Sequence, residues 1–302
     1  MIWFIFALAS ALLSAAAAVI QKKVLFRLSA LEFSFFVSAL ILVLSLAAPF
    51  VVDVAAMPSS TLLLIIGKSA LGAFAFLLVM MSLEKNQISS ALPLLGLTPA
   101  AAALLALPAL GESLRIWEWA AIGLMMAGTY LIERTPHSGT ARAAAGRWNF
   151  SPQYPIAGAI VLFAVSSVTD RVLVSGFRIH PLAVLFYQHI VYCLIFGAML
   201  AFRLVLRAPH NTGVSMRRLV RTAREQLPLI AAVGFLTIAY RFAQLEAAKD
   251  APAALVLAVK RTSIVFATLY GGRLFSDDRL RMKLIGAILI AGSGFLILRF
   301  IA

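Results

Sequence analysis

An all-α integral membrane protein is the fold class this sequence predicts, and three observations predict it. Hydrophobic residues make up 62% of the 302 and charged residues only 13%, with a mean hydropathy of +0.98. That is more apolar surface than a soluble domain of this size can hide. The charged residues cluster, and the apolar runs between them approach the ~20 residues needed to cross about 30 Å of hydrocarbon. The short alternating segments of a membrane barrel are absent.

The runs define ten spans, near 2–20, 31–52, 62–83, 88–110, 116–133, 155–173, 181–202, 227–247, 251–271 and 283–301. The first, MIWFIFALASALLSAAAAVI, lacks the basic start of a signal peptide and is long enough to span. In span 3, Lys68 is close enough to its helix end to snorkel, while Ser69, Gly72 and Ala73 suit close helix packing. In span 4, Pro93 and Pro99 are expected to kink the helix, and Pro99 frees a carbonyl. The polar, proline-bearing segment from Arg134 to Pro155 then separates five spans from five. This divides the chain into a first five-helix repeat (1–133), a linker (134–154) and a second five-helix repeat (155–302).

Polar groups concentrate in the second half. Span 7 carries Tyr187, Gln188, His189 and Tyr192, of which Gln188 and Tyr192 share a helix face. Cys193, the only cysteine, reads as a small buried hydrophobe and allows no disulfide within the chain. Span 8 carries Tyr240, Arg241 and Gln244; Arg241 is either a site residue or an interfacial anchor, with Glu246 and Asp250 near the membrane surface as partners for it or for Lys249. Span 9 reads as one helix, Ala251 to Tyr270, with Lys260 and Arg261 halfway along it. A cation at the bilayer centre costs roughly 2.5–3.5 kcal/mol on insertion scales. Both side chains must therefore face a wet cavity or a buried partner. Consecutive helical residues diverge by about 100°, so both reach one cavity only if it is wide or if one pairs elsewhere. Thr262 and Ser263 add hydroxyls beside them.

The halves repeat. LEKNQISSALPLLGLTPAA, from Leu83, lies over LEAAKDAPAALVLAVKRTS, from Leu245; IGLMMAGTYLI, from Ile122, lies over IGAILIAGSGFLI, from Ile285. VIQKKVL, from Val19, lies loosely over VTDRVLV, from Val168. The three matches keep their order, which points to duplication. An odd number of spans per repeat inverts the second copy, an architecture used by transporters with the site at the midplane. Across the repeat, Lys260 and Arg261 correspond to Thr98 and Pro99, which brings Thr98 to the same place.

These motifs carry a family resemblance over nearly the whole chain. SSALPLLGLTPAAAALLALPALGESLRIWEWAAIGLMMAGTYLI, with Pro99, Gly111-Glu112, Gly123 and Gly128, resembles the drug/metabolite transporter superfamily, specifically its two-domain EamA-type members. The resemblance implies a carrier, with Glu112 at a gate. The second half departs from it: no glutamate follows span 9, and GGRLFSDD offers Asp277 or Asp278 slightly later. The Lys260-Arg261 pair is similar to that of the sugar-phosphate translocators, where it is implied to clamp phosphate. Leu95 stands where that branch has a further lysine, so the clamp is incomplete.

Other classes fit poorly. The net charge of +14 comes mostly from short loops, where Lys and Arg set membrane orientation, so no nucleic-acid partner is read from it. His137, His180, His189 and His210 show no metal-ligand spacing, and no Gly-rich phosphate loop is present. No enzyme, metal or cofactor is expected.

The reading is a multi-pass carrier of the cell membrane, in a bacterium the inner one. It moves a small polar metabolite, anionic on this reading, by alternating access. The binding residues are taken to be Lys260, Arg261, Ser263, Tyr240, Arg241, Gln244, Thr98, Gln188, His189 and Tyr192. The expected partners are the small-molecule substrate and the bilayer, with a homodimer left open. The alternatives are an exporter of amino acids or other neutral metabolites, in which the cations pair with protein, and a non-transporting scaffold or lipid-processing subunit. Asp170, Glu84, Glu246 and Asp250 fall towards span ends, so exchange or facilitated movement is expected rather than proton coupling. Loops after the odd-numbered spans hold most Lys and Arg, including Arg217, Arg218, Arg221 and Arg224, which places them in the cytoplasm and both termini outside. Ten-span relatives are usually described with termini inside.

Overall fold

The computed structural model describes residues 2–54, 57–86, 88, 92, 94–112, 114–133, 154–206, 216–274 and 280–301. Every element among them is helical. In order they are α1 (Ile2–Leu25), α2 (Ala30–Ser45) with a 3-10 turn Ala48–Phe50, and α3 (Ser59–Lys85). A 3-10 turn Leu95–Leu97 leads into α4 (Thr98–Leu110), followed by α5 (Ile116–Glu133) and α6 (Tyr154–Arg171), which runs on as a π-helical turn, Val172–Gly176. Then come α7 (Pro181–Leu206), α8 (Met216–Glu225), α9 (Leu227–Asp250), α10 (Ala253–Lys260) and α11 (Ser263–Phe266). A π-helical turn Ala267–Gly271 and the short Gly272–Leu274 continue α11, and α12 (Leu280–Ile301) closes the described chain.

Seven of these stretches are long and apolar enough to cross a membrane: Ile2–Leu25, Ala30–Phe50, Ser59–Lys85, Pro155–Gly176, Pro181–Val205, Leu227–Asp250 and Ala253–Gly271. The chain is thus an all-helical, multi-pass membrane protein. Helices are the natural solution, because lipid offers no partner for an open backbone N–H or C=O. The other three expected spans coincide with α4, α5 and α12, and shorter apolar helices are found at Leu95–Leu110 and Leu284–Ser293. Pro93, Asp277, Asp278 and residues 134–153 of the expected linker lie outside the described residues.

Packing joins one half of the chain to the other. α1 packs on α9, α3 on α6, α2 on α7, α4 on α10, and α5 on α12. Small residues let these helices approach. Ala7 and Ala11 of α1 are fully buried, and Ser10 Oγ donates to the Tyr240 carbonyl of α9 at 2.8 Å. Gly128 of α5 lies so close to the Gly286 carbonyl of α12 that a Cβ there would stand 2.5 Å from it. Without a hydrophobic drive between helices in lipid, such close van der Waals contact is what holds them. Gly111 ends α4 in the left-handed region at φ 64°, its N–H donating to Leu107 O at 3.1 Å, a conformation glycine adopts without a Cβ penalty. The stretch read as a basic loop after span 7 contains α8, an amphipathic helix with Leu219 and Ala223 buried and Arg218, Arg221 and Arg224 exposed.

Four expectations are corrected. Span 9 runs as one membrane-long stretch, Ala253–Gly271, but is not regular throughout: α10 stops at Lys260, a tighter turn with helical backbone angles covers Arg261 and Thr262, and α11 starts at Ser263. Pro99 does not kink a continuous helix, because it sits in the first turn of α4, where a missing N–H costs nothing. Lys68 does not snorkel; it is 2% exposed and ion-paired to Asp170. Nor is Asp170 at a span end, because the helix continues to Gly176 and places the carboxylate beside residues deep in α3, α7 and α9.

Candidate binding cavity

A cavity of about 140 Å³ lies between the two halves of the chain. Nine of the ten residues singled out from sequence line it: Gln188, His189 and Tyr192 from α7, Tyr240, Arg241 and Gln244 from α9, and Lys260, Arg261 and Ser263 around the break in α10–α11. The tenth, Thr98, stands directly behind, its Oγ1 accepting from an Arg261 terminal nitrogen at 3.0 Å. Two helix interruptions therefore meet here, the 3-10 turn before α4 and the turn after α10.

Lys260 and Arg261 both line the cavity but diverge, as consecutive helical residues do by about 100°. Lys260 Nζ reaches Gln244 Oε1 at 2.5 Å and lies 4.6 Å from the Tyr240 ring centre. The ring face attracts the ammonium. Arg261 turns towards α4 and keeps its Nε without a hydrogen-bond partner, although the atom is buried. Thr262 Oγ1 is spent on the Val259 carbonyl at 2.8 Å.

A second set of charges backs the cavity. Lys68 Nζ lies 2.6 Å from Asp170 Oδ1, and Arg241 donates to Asp170 Oδ2 at 3.0 Å, so both carboxylate oxygens are engaged. The two glutamines act as bridges. Gln188 Oε1 accepts from Lys68 at 2.7 Å and from Arg241 at 3.1 Å; Gln244 Oε1 accepts from Arg241 at 3.0 Å and from Lys260 at 2.5 Å. Hydrogen bonds thus run without a gap from Lys68 to Lys260, and satisfied networks of this kind rigidify what they join. Arg241 is a member of the network, not an interfacial anchor. His189 Nδ1 donates to Leu185 O at 2.8 Å, and its ring lies 5.5 Å from that of Tyr192.

The remaining sequence expectations place as follows. Glu246 pairs with Lys249 at 2.7 Å rather than with Arg241. Cys193 is only half-buried. Glu112, the gate residue implied by resemblance, pairs with Arg171 at 3.0 Å. Arg171 also donates to the Ala248 and Lys249 carbonyls, at 2.7 and 2.6 Å, and closes the end of α9. Lys22 does the same at the end of α3, donating to Leu83 O at 2.6 Å and to Asn86 O at 2.9 Å. Sequence reading missed Lys68 and Asp170. The available signal was that each is a charged residue within an apolar helix, which by default asks for a buried partner.

Residues 1–134 match the EamA-like transporter family of the drug/metabolite transporter superfamily. The EamA-like match covers Pro99, Gly111-Glu112, Gly123 and Gly128, the residues on which the resemblance was drawn. The family is one of membrane transporters, in keeping with the seven membrane-long helices of this chain. A solved crystal structure is 18% identical and superposes with a TM-score of 0.71 over 99% of this chain and 96% of that one. At that identity the likeness shows the fold alone, and it extends the shared architecture beyond the EamA-like first half. No curated protein matches the chain.

Proposed function

We propose that this EamA-like protein is a secondary transporter that carries a small polar anionic metabolite by alternating access, with the cavity at Lys260 and Arg261 as its binding site. One observation carries the reading. Among the described residues neither cation has a carboxylate partner within salt-bridge distance, and the carboxylate nearest in the network, Asp170, is already taken by Lys68 and Arg241. Arg261 Nε is buried and one acceptor short. An arginine kept in an apolar helix bundle without a counter-charge is explained most simply by an anion that arrives from outside the chain.

On this proposal the chain has ten spans in two inverted five-helix repeats, 1–133 and 155–302, joined by the linker 134–154. The packing supports it. Let α1, α2, α3, α4 and α5 exchange with α6, α7, α9, α10–α11 and α12. The contact of α1 with α9 then becomes that of α6 with α3, and the other three pairs map onto themselves. Single atoms obey the same exchange. The Val19/Val168 register turns Lys22 into Arg171, and the Leu83/Leu245 register turns Asn86 into Ala248; Lys22 donates to Asn86 O as Arg171 donates to Ala248 O. An inverted repeat sets these two contacts at opposite membrane faces, where opening one and closing the other alternates access.

The alternative of a neutral or zwitterionic substrate draws on Lys68 and Arg241, whose charge is met by protein, but it leaves Lys260 and Arg261 unexplained. A scaffold has no use for either. Purified protein in liposomes tests the proposal: anion transport that depends on Arg261 is expected, and transport confined to neutral or zwitterionic solutes ends it.

A further inference from the structure

The cavity has two chemically different walls, and they come from different halves of the chain. Every cation that lines it, Arg241, Lys260 and Arg261, belongs to the second half. The first half supplies Val37, Ile41, Phe76, Val79, Met80 and Leu95, with polar atoms only from Ser14, Gln21 and Ser38. Of these, the Ser14 hydroxyl is already donated to its own helix, to Ala11 O at 3.0 Å. A ligand whose head meets Arg261 and whose body reaches the first half therefore lays that body mostly against hydrocarbon.

Three further features narrow the ligand. Arg261 presents a planar fork with Nε unpartnered and one terminal nitrogen on Thr98, and two oxygens of a carboxylate match such a fork. The Asp170 carboxylate does not line the cavity, and its charge is met by Lys68 and Arg241, so it is not placed to pair with an ammonium group on the ligand. The space, about 140 Å³, is close to the ~150 Å³ in which an apolar cavity takes up benzene.

Resting on the carrier reading above, we propose that the carried anion is a monocarboxylate with a short hydrocarbon body, branched or aromatic, and no ammonium group. A hydroxyl carried on the part of the body that lies against Val37, Ile41 and Val79 would lose its water there, and only Ser14, Gln21 and Ser38 on that wall could bond it. An amino acid of the same size would bury a second charge with no counter-charge to meet it. Leu95, where a further cation would have suited a phosphate dianion, belongs to the apolar wall.

Binding to the full-length purified protein tests this without the complication that such acids cross bilayers unaided. Isovalerate and benzoate are each measured by direct binding and by the rise in melting temperature. Leucine and phenylalanine serve as bodies of similar size with an ammonium, isoamyl alcohol as the uncharged body, and glycerol 3-phosphate as the hydroxylated anion. The expected result is binding of isovalerate or benzoate, with the amino acids and the alcohol at least about 10-fold weaker. Ile41→Val, which removes one methylene from the apolar wall and is mild enough to fold, weakens isovalerate by about 4-fold. Leucine or phenylalanine binding as tightly as the acids overturns the proposal. So does glycerol 3-phosphate binding through Arg261 while both acids fail, although the anion-carrier reading then survives. If no anion binds in a manner that Arg261→Ala abolishes, the carrier reading falls and this proposal falls with it.

Discussion

Arg261 donates to Thr98 Oγ1 at 3.0 Å, and the two residues stand at interruptions in helices from opposite halves of the chain. Thr98 Oγ1 itself donates to Leu95 O at 2.7 Å, so its lone pair is directed at the guanidinium. The contact fixes one end of the fork and leaves Nε buried without a partner.

Replacing Arg261 by alanine is expected to abolish substrate binding in a protein that still folds. Losing one member of a buried charge pair costs about 2–5 kcal/mol, which is roughly a 30-fold to several-thousand-fold loss in affinity. Arg261→Lys keeps the charge without the fork and should fall between. Lys260→Ala should be milder, a point charge being lost. Transport and melting measured on the same purified variants decide the matter. Near-normal transport by Arg261→Ala, with a lowered melting temperature, would mean that the arginine serves only the fold.

Asp170→Asn is expected to act on stability first. It leaves Lys68 and Arg241 buried without a counter-charge, and breaking a buried pair costs about 3–5 kcal/mol. The double variant Lys68→Met, Asp170→Asn should lose less than the sum of the single losses, because the two residues are in direct contact. Additive losses in melting experiments would contradict the pairing.

Lys22 and Arg171 should control access from opposite sides. Each ties a helix end through two backbone carbonyls, and the proposed inverted repeat would exchange one tie with the other. With Cys193 replaced by serine and a single cysteine placed at Ser167, which lines the cavity, Lys22→Ala should raise labelling from one side of the membrane and Arg171→Ala from the other. Increased labelling from the same side in both variants would refute the inverted arrangement.

Transport is expected to run by exchange or facilitated movement, not on a proton gradient. The first ground for this, the absence of a deep carboxylate, fails with the position of Asp170. The expectation now rests on both Asp170 oxygens being engaged by cations, which leaves neither open to carry a proton. Uphill uptake driven by a pH difference alone, with no substrate on the far side, would overturn it.

The arginine-bearing helix α8 should lie on the cytoplasmic face, with both termini outside. Cysteines placed at the termini should react with an impermeant thiol reagent in intact cells, and cysteines in α8 should not. The opposite pattern reverses the orientation.

What the sequence determined by itself was the solvent and the inventory. Apolar runs of membrane length impose helices, because in lipid the backbone has no other way to pair. Cations inside those runs single out a site, because their cost demands a reason. Lys260 and Arg261 were legible as candidates on that basis. What only the tertiary structure decided was how the charges meet. Lys68, Asp170, Gln188 and Arg241 come from four different helices, and no spacing along one helix could join them. The turn at Arg261 was equally hidden, since Thr262 and Ser263 are the only polar residues after the pair up to Phe266 and neither Gly nor Pro marks a stop. There Arg261 meets Thr98 of α4, a contact between distant parts of the chain that only the fold as a whole brings about.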